Sequence, residues 1–263
     1  MMNNGRSYTT QLQAGLGLIE ETRKLLYLWE ENMDVATLYH TSLNSGQFPN
    51  ITARRLRNIV AECFAPRYLI DNGTPALLLK KLNDLLSSNE LNQFLLLYTC
   101  RANVILADFV RQVYWYRYMG GYETISKEDA KDFVIQANQE GKTYKHWSES
   151  TIHRVASYLI GCCADYGLLE KKAKSTRHIV PFRIEPRTAA ILAYDIHYAG
   201  FGDNAVIGHE DWGIFGLQTN DVRDELKQLS LKGFFIVQAA GDIIQIDWKF
   251  KTMEELINAI VQR

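Results

Sequence analysis

Between residues 12 and 98 apolar positions recur at helical spacing. Leu12, Leu16, Ile19, Leu25, Leu26, Leu28 and Trp29 open the series, and further segments follow around 35–43, 52–64 and 76–87. Turn-rich stretches interrupt it at 44–50 (Asn-Ser-Gly-Gln-Phe-Pro-Asn) and 71–75 (Asp-Asn-Gly-Thr-Pro). No strand-like alternation occurs there, so residues 1–100 are expected as a bundle of short helices. A longer helix is expected over about 91–118, ended by Gly120-Gly121. Ser126, with an acid three residues on at Asp129, reopens the helix, which ends near Gly141. Ser148 can cap a third helix, whose apolar positions Ile152, Val155, Ala156, Leu159, Ile160 and Cys163 lie three and four apart, and Gly167 closes it.

The period then changes. Residues 168–172 and 177–184 read as two extended arms of a β-hairpin joined by 173–176, with Pro181 confining its arm to a sheet edge. Helix, helix, turn, amphipathic helix, hairpin is the order of a winged helix-turn-helix, whose third helix can enter a DNA groove. The order partly repeats. Residues 188–200 are a helical candidate, 218–231 form an amphipathic helix capped by Thr219, 234–238 and 243–248 pair as a second hairpin, and Thr252 with Glu255 opens a last helix. The expected fold is mainly α with small β-hairpins: an N-terminal helical bundle (1–100) followed by one or two winged-helix-like units, a basic one (101–187) and an acidic one (188–263).

Net charge at first argues against a polyanionic partner, because 29 Lys and Arg nearly balance 30 Asp and Glu. The balance hides a segregation. Residues 142–187 hold nine basic against four acidic side chains, whereas 188–250 hold four against nine. On the third helix the positions away from the apolar face offer Glu149, Ser150, His153, Arg154 and Ser157. Lys145 precedes it, and the wing carries Lys171, Lys172, Lys174 and Arg177. Such a set can meet phosphates and base edges together, and double-stranded DNA is the expected partner. Asp221, Asp224, Glu225 and Asp242 occupy the corresponding places in the second unit, which is therefore expected to be a structural or protein-binding copy. Arg54, Arg55 and Arg57, at a helix start, extend the DNA footprint if the fold brings them beside the wing; the alternative is a solvated helix face pairing with acids such as Glu62.

Enzymatic spacings fail on inspection, and a non-enzyme without metal or cofactor is expected. Gly15-Leu16-Gly17 lacks the third glycine and the Lys-Ser/Thr of a phosphate loop, and His209-Glu210-Asp211 lacks the second histidine of a zinc-protease helix. Asp195 and His197 have no nucleophile-elbow context. Tyr114-Trp115-Tyr116-Arg117-Tyr118 reads as a packing layer rather than a base-stacking platform. Cysteines 63, 100, 162 and 163 form no C-x-x-C pair, so they read as buried thiols of a reducing compartment. Apolar runs are too short for a membrane span, and no export segment marks the N-terminus, so the expected location is the cytoplasm.

Three stretches resemble a known family. Ala14-Gly15-Leu16-Gly17-Leu18-Ile19-Glu20-Glu21-Thr22-Arg23, the helix start Thr52-Ala53-Arg54-Arg55, and Ser148-Glu149-Ser150-Thr151-Ile152 leading to Ala164-Asp165-Tyr166-Gly167-Leu168-Leu169 are similar to the BrxA family of BREX phage-defence systems. The resemblance covers roughly the first 185 residues; the segment after about Pro186 is longer than the family pattern. It implies a helix-rich cytoplasmic component of a bacterial antiviral system, without known catalytic residues, working beside a DNA methyltransferase and other BREX subunits. Two further classes stay open: an assembly adaptor that contacts proteins only, and a winged-helix transcriptional regulator.

Overall fold

Wherever a polar side chain can satisfy the first free amides of a turn, the apolar periodicity becomes helix. A computed structural model describes residues 7–14, 16–171, 175–240 and 243–261. The fold is mainly helical with two small antiparallel strand pairs. The chain divides into two units, Met1–Asp84 with Phe94–Pro181, and Leu85–Gln93 with Phe182–Arg263.

In the first unit α1 (Ile19–Leu28), α2 (Val35–Asn44), α3 (Ala53–Asn58), α4 (Ala65–Tyr68) and α5 (Thr74–Leu82) form the expected run of short helices, with a π-helical stretch, Ile59–Phe64, joining α3 to α4. Asp34 and Thr52 cap α2 and α3, each accepting a backbone amide three residues on. The break before α5 is a left-handed run through Asp71, Asn72 and Gly73. Gly73 is required there twice over, by its φ of +78° and because a Cβ would stand 2.7 Å from the Trp29 ring.

The long helix expected over 91–118 is broken. It is α6 (Ser88–Ala102), then α7 (Val104–Phe109), a π-helical stretch Val110–Tyr114 and α8 (Trp115–Met119), bent by 116° at the break. Asn103 leaves helical geometry and satisfies both ends itself: its side chain donates to the Thr99 carbonyl, and its own carbonyl accepts from Leu106 and Ala107. Neither glycine nor proline marks the place. Among the described residues no single helix is long and apolar enough to cross a membrane.

Ser126 and Asp129 form the expected reciprocal cap on α9 (Lys127–Gln139), and Ser148 caps α10 (Glu149–Asp165). The hairpin expected over 168–172 and 177–184 is shorter than its sequence pattern. Its arms meet at an isolated bridge between Leu169 and Ile179, flanked by the Glu170 amide on the His178 carbonyl and the Val180 amide on the Leu168 carbonyl. The second arm, β2 (Thr176–His178), instead pairs outward with β1 (Thr124–Ser126), a strand the periodicity does not announce. The hairpin tip, 172–174, lies outside the described residues.

Residues 1–84 and 94–181, most of the expected 1–100 and 101–187 domains, share this unit, and the segment before α1 is buried against α10. The Gly17 amide donates to Asp165 Oδ2 (2.9 Å), Tyr166 Oη donates to the Gly17 carbonyl (3.2 Å), and Arg67 donates to the Leu16 carbonyl (3.0 Å). Val60, Tyr68, Leu79, Leu95, Phe109 and Leu159 are fully buried in it.

The second unit carries α11 (Pro186–Tyr198), α12 (Asp203–Ile207), a 3-10 turn Glu210–Phe215, α13 (Thr219–Leu231), the pair β3 (Phe235–Ala240) and β4 (Ile243–Trp248), and α14 (Met253–Val261). Helix α12 and the 3-10 turn were not expected, and α13 is capped by Gln218 with Asp221, not by Thr219. Tyr194 lies at its centre, donating to the Phe234 carbonyl and accepting from the Lys249 and Phe250 amides.

Candidate nucleic-acid interface

Helix α10 buries Ile152, Val155, Ala156, Leu159, Ile160, Cys162 and Cys163, leaving its other side to solvent. That side carries the expected residues: Ser150, His153 and Arg154 are exposed, and Ser157 is half-buried. Ser157 donates its hydroxyl to the His153 carbonyl, so it is committed to its own helix. The Ser148 hydroxyl accepts the Thr151 amide and lies 3.1 Å from both the Ser150 and Thr151 hydroxyls, which groups hydroxyls at a helix N-terminus whose dipole favours an anion. Among the described residues Arg154 touches the Thr151 hydroxyl alone, at 3.5 Å, so its guanidinium keeps most of its donors toward solvent.

Ahead of α10, Lys145 is exposed with its ammonium 5.2 Å from the Tyr144 ring, a cation–π arrangement. Lys142 is paired with Glu140 at 2.7 Å. The connection that presents these groups is pinned from both sides. Asn138 accepts the Trp147 amide and the Thr143 hydroxyl, and Tyr8 makes a parallel bridge to Thr143.

In the segment after α10 expected as a wing, Lys171 is exposed, whereas Lys172 and Lys174 lie outside the described residues. Arg177 is half-buried, paired with Ile125 in the β1–β2 ladder, and donates to the Glu170 carbonyl at 3.0 Å. Its side chain therefore ties the arms of the hairpin together. Arg54, Arg55 and Arg57 are exposed on α3 in the same unit. Packing links them to α10 through the π-helical stretch and the 3-10 turn Gln11–Ala14.

The unit boundary redraws the charge map. Arg183 and Arg187 fall in the second unit, where they meet Glu225 and Glu90 at 3.9 Å each. The basic stretch of the first unit, 142–181, then holds seven cations against three acids. Acids of the second unit are largely committed. Asp203 accepts from the Ile246 amide and the Trp248 indole, Asp211 is buried beside His209, Asp221 closes the α13 cap, and Asp224 pairs with Lys227. Among the described residues Lys145, Arg154 and Lys171 have no carboxylate partner.

All four cysteines are buried thiols outside any disulfide; burial pushes Cys162 up to about 12, raises Cys163 well above the ordinary thiol value and raises Cys63 as well, so these three are held as neutral thiols. His197 stacks flat on Trp248 at 4.1 Å, a packing role. Tyr114 and Trp115 are buried as a packing layer, yet Tyr116 on the same stretch is exposed with Met119 and Tyr122. Spacing along α10 could find its exposed face, but no local pattern pointed to Tyr8, which lies in a polar N-terminal stretch far from Thr143 in sequence.

Comparison with known proteins bears on both the fold and the family. A solved structure of an uncharacterized protein from Magnetospirillum magneticum superposes with a TM-score of 0.57 at 15% identity, covering 73% of this chain and 95% of that one, which shows a shared fold. No curated protein matches the chain. The three stretches quoted from the sequence fall in one unit, with Gly17 of the first bonded to Asp165 and Tyr166 of the third. The family profile named BrxA matches residues 6–195, a span that takes in all three stretches, and the chain belongs to the BrxA family.

Proposed function

We propose that the protein is a non-catalytic, double-stranded DNA-binding component of a BREX antiphage system, gripping the duplex through α10 and the wing that follows it. Family membership suggests the BREX-related role. The observation that carries the DNA reading is the set Lys145, Arg154 and Lys171, exposed on consecutive elements of one unit and without carboxylate partners among the described residues. The order α7 to α8, β1, α9, α10, hairpin is that of a winged helix-turn-helix, with α10 as the recognition helix and β1 pairing the returning wing strand. Arg54, Arg55 and Arg57 would add phosphate contacts, and a cytoplasmic location beside a DNA methyltransferase and other BREX subunits completes the reading.

Fluorescence anisotropy of a labelled duplex at two salt concentrations tests it. Dissociation constants of about 10⁻⁴ to 10⁻⁶ M at physiological salt, weakening steeply as salt rises, are expected of binding led by phosphate contacts. Binding insensitive to salt, or none, overturns the reading. It would favour the second one, an assembly adaptor, for which the exposed Tyr116, Met119 and Tyr122 offer an apolar contact surface.

A further inference from the structure

The connection between α9 and α10 is where a helix-turn-helix sets the angle of its recognition helix, and in this chain it is held by a segment from the far N-terminus. The Tyr8 amide donates to the Lys142 carbonyl at 2.7 Å, and the Tyr144 amide donates back to the Tyr8 carbonyl at 3.1 Å, closing a parallel bridge with Thr143 between them. The Tyr8 side chain is buried: its ring stacks on Phe133 of α9, and its hydroxyl donates to Asp108 of α7 at 2.6 Å. Arg111 faces the other oxygen of Asp108 at 3.5 Å. One residue therefore joins α7, α9 and the connection. What it holds in place is exposed: Tyr144, Lys145 and His146 all face solvent, with Lys145 over the Tyr144 ring.

We infer that Tyr8 is a positioning residue for duplex binding: it straps the α9–α10 connection so that Tyr144 and Lys145 meet a phosphate of the duplex on which α10 docks. Lys145 supplies the charge and Tyr144 supplies a hydroxyl donor and a ring that holds the ammonium in place. Without the strap the connection must be ordered at the moment of binding, and that ordering opposes affinity. This rests on the duplex-binding reading above.

The test is a double-mutant cycle in the full chain, combining Tyr8→Ala with the pair Tyr144→Ala and Lys145→Ala, read by duplex anisotropy and by amide exchange at residue 144. Tyr8→Ala alone is expected to weaken duplex binding roughly tenfold, since ordering even one freed backbone residue costs a factor of that size. It should also speed exchange of the Tyr144 amide while the melting temperature stays well above that of the assay. In the background lacking both Tyr144 and Lys145 side chains, Tyr8→Ala should cost little further affinity. A merely structural residue would weaken binding by the same factor in both backgrounds. Tyr8→Phe keeps the ring and the backbone bridge, so it should retain most of the affinity and serves as the folded control if the alanine variant misfolds. Equal losses in both backgrounds, or a Tyr144 amide no better protected in wild type than in Tyr8→Ala, overturn the strap. Absence of salt-sensitive duplex binding in the unsubstituted protein overturns the underlying function as well, which separates the two failures.

Discussion

Replacing Gly17 by alanine puts one methyl group where the structure has no room. An ideal Cβ at Gly17 lies 2.6 Å from the Asp165 Cβ, 3.2 Å from its Oδ2 and 3.3 Å from its Cγ. Carbon atoms in contact sit at about 3.5–4.0 Å, so one of the two segments must retreat by about 1 Å. The obstacle is the first carbon of the Asp165 side chain, fixed to the end of α10, and a rotamer change cannot remove it. Overpacking of this kind costs about 1–3 kcal/mol. The same retreat stretches the 2.9 Å bond from the Gly17 amide to Asp165 Oδ2, and a hydrogen bond to a carboxylate contributes about 1.5–3 kcal/mol. A stiffer unfolded chain returns about 0.4–1 kcal/mol. Gly17→Ala is therefore expected to destabilise the first unit by roughly 2–4 kcal/mol, a fall in melting temperature of roughly 4–16 °C at ~2–4 °C per kcal/mol for a unit of this size. Gly161→Ala is the matched control. Its Cβ meets Leu16 Cδ1 at 2.8 Å, the far end of a side chain that can turn aside, and it removes a mid-helix glycine that costs α10 about 0.5–1 kcal/mol relative to alanine. It should be near neutral or stabilising. Urea unfolding of both variants, followed by circular dichroism, decides the matter; Gly17→Ala within about 0.5 kcal/mol of wild type, the range of an ordinary surface change, or Gly161→Ala the worse of the pair, refutes the docking argument.

Neutralising Lys145, Arg154 and Lys171 together to glutamine should lower the slope of log affinity against log salt by up to about 2.7, at ~0.9 per phosphate contact, with the melting temperature unchanged; an unchanged slope in duplex anisotropy would move the site to Arg54, Arg55 and Arg57. Ser148→Ala removes the cap of α10 and should cost about 1 kcal/mol in urea unfolding, whereas Ser150→Ala, which caps nothing, should cost almost none. Burial holds Cys162 and Cys163 as neutral thiols in the fold. Their folded-state values lie above the unfolded value of 9.0, so this stabilisation is complete below about pH 9 and is lost as pH rises from there toward 12. Melting temperature under reducing conditions should fall along that limb, and Cys162→Ala should flatten it; a flat alkaline limb in the wild type would contradict the burial of both thiols.

Helix caps were readable because they are local. Ser126 with Asp129 and Ser148 with Thr151 act within one turn, and both form as their spacing implies. Asn103 carries no such mark, because a break made by an asparagine that serves both helix ends looks in sequence like any polar residue on a long amphipathic helix. Strand β1 was missed for another reason. Three residues, Thr124–Ser126, are too few to show alternation, and what makes them a strand is pairing with residues about fifty positions later. Gln218 displaced Thr219 as a cap by one residue, within the fraying expected at helix ends. Of the candidate contacts, the exposed face of α10 followed from periodicity, but the fate of Arg177 did not. A cation on a short strand can point to solvent or fold back on its own hairpin, and here it reaches the Glu170 carbonyl.

Charge counting had the same limit, and the structure changes what the count means. A net excess of acids in residues 188–250 reads as a face that repels phosphate, yet Asp203, Asp211, Asp221 and Asp224 each have a partner inside the unit: strand β4, His209, the α13 cap and Lys227. Such acids are present because a small strand pair needs its edge amides met and a helix needs its first turn closed. The basic stretch differs in kind. Ser148 and Asn138 carry the local structural bonds around the start of α10, leaving Lys145 and Arg154 without a carboxylate partner among the described residues. Cations that a fold leaves uncommitted on one surface are the ones available to an external polyanion. The distinction between the two units thus lies in which charges have work within the fold, and a test that neutralises the committed acids would disturb stability where neutralising Lys145 and Arg154 would disturb binding.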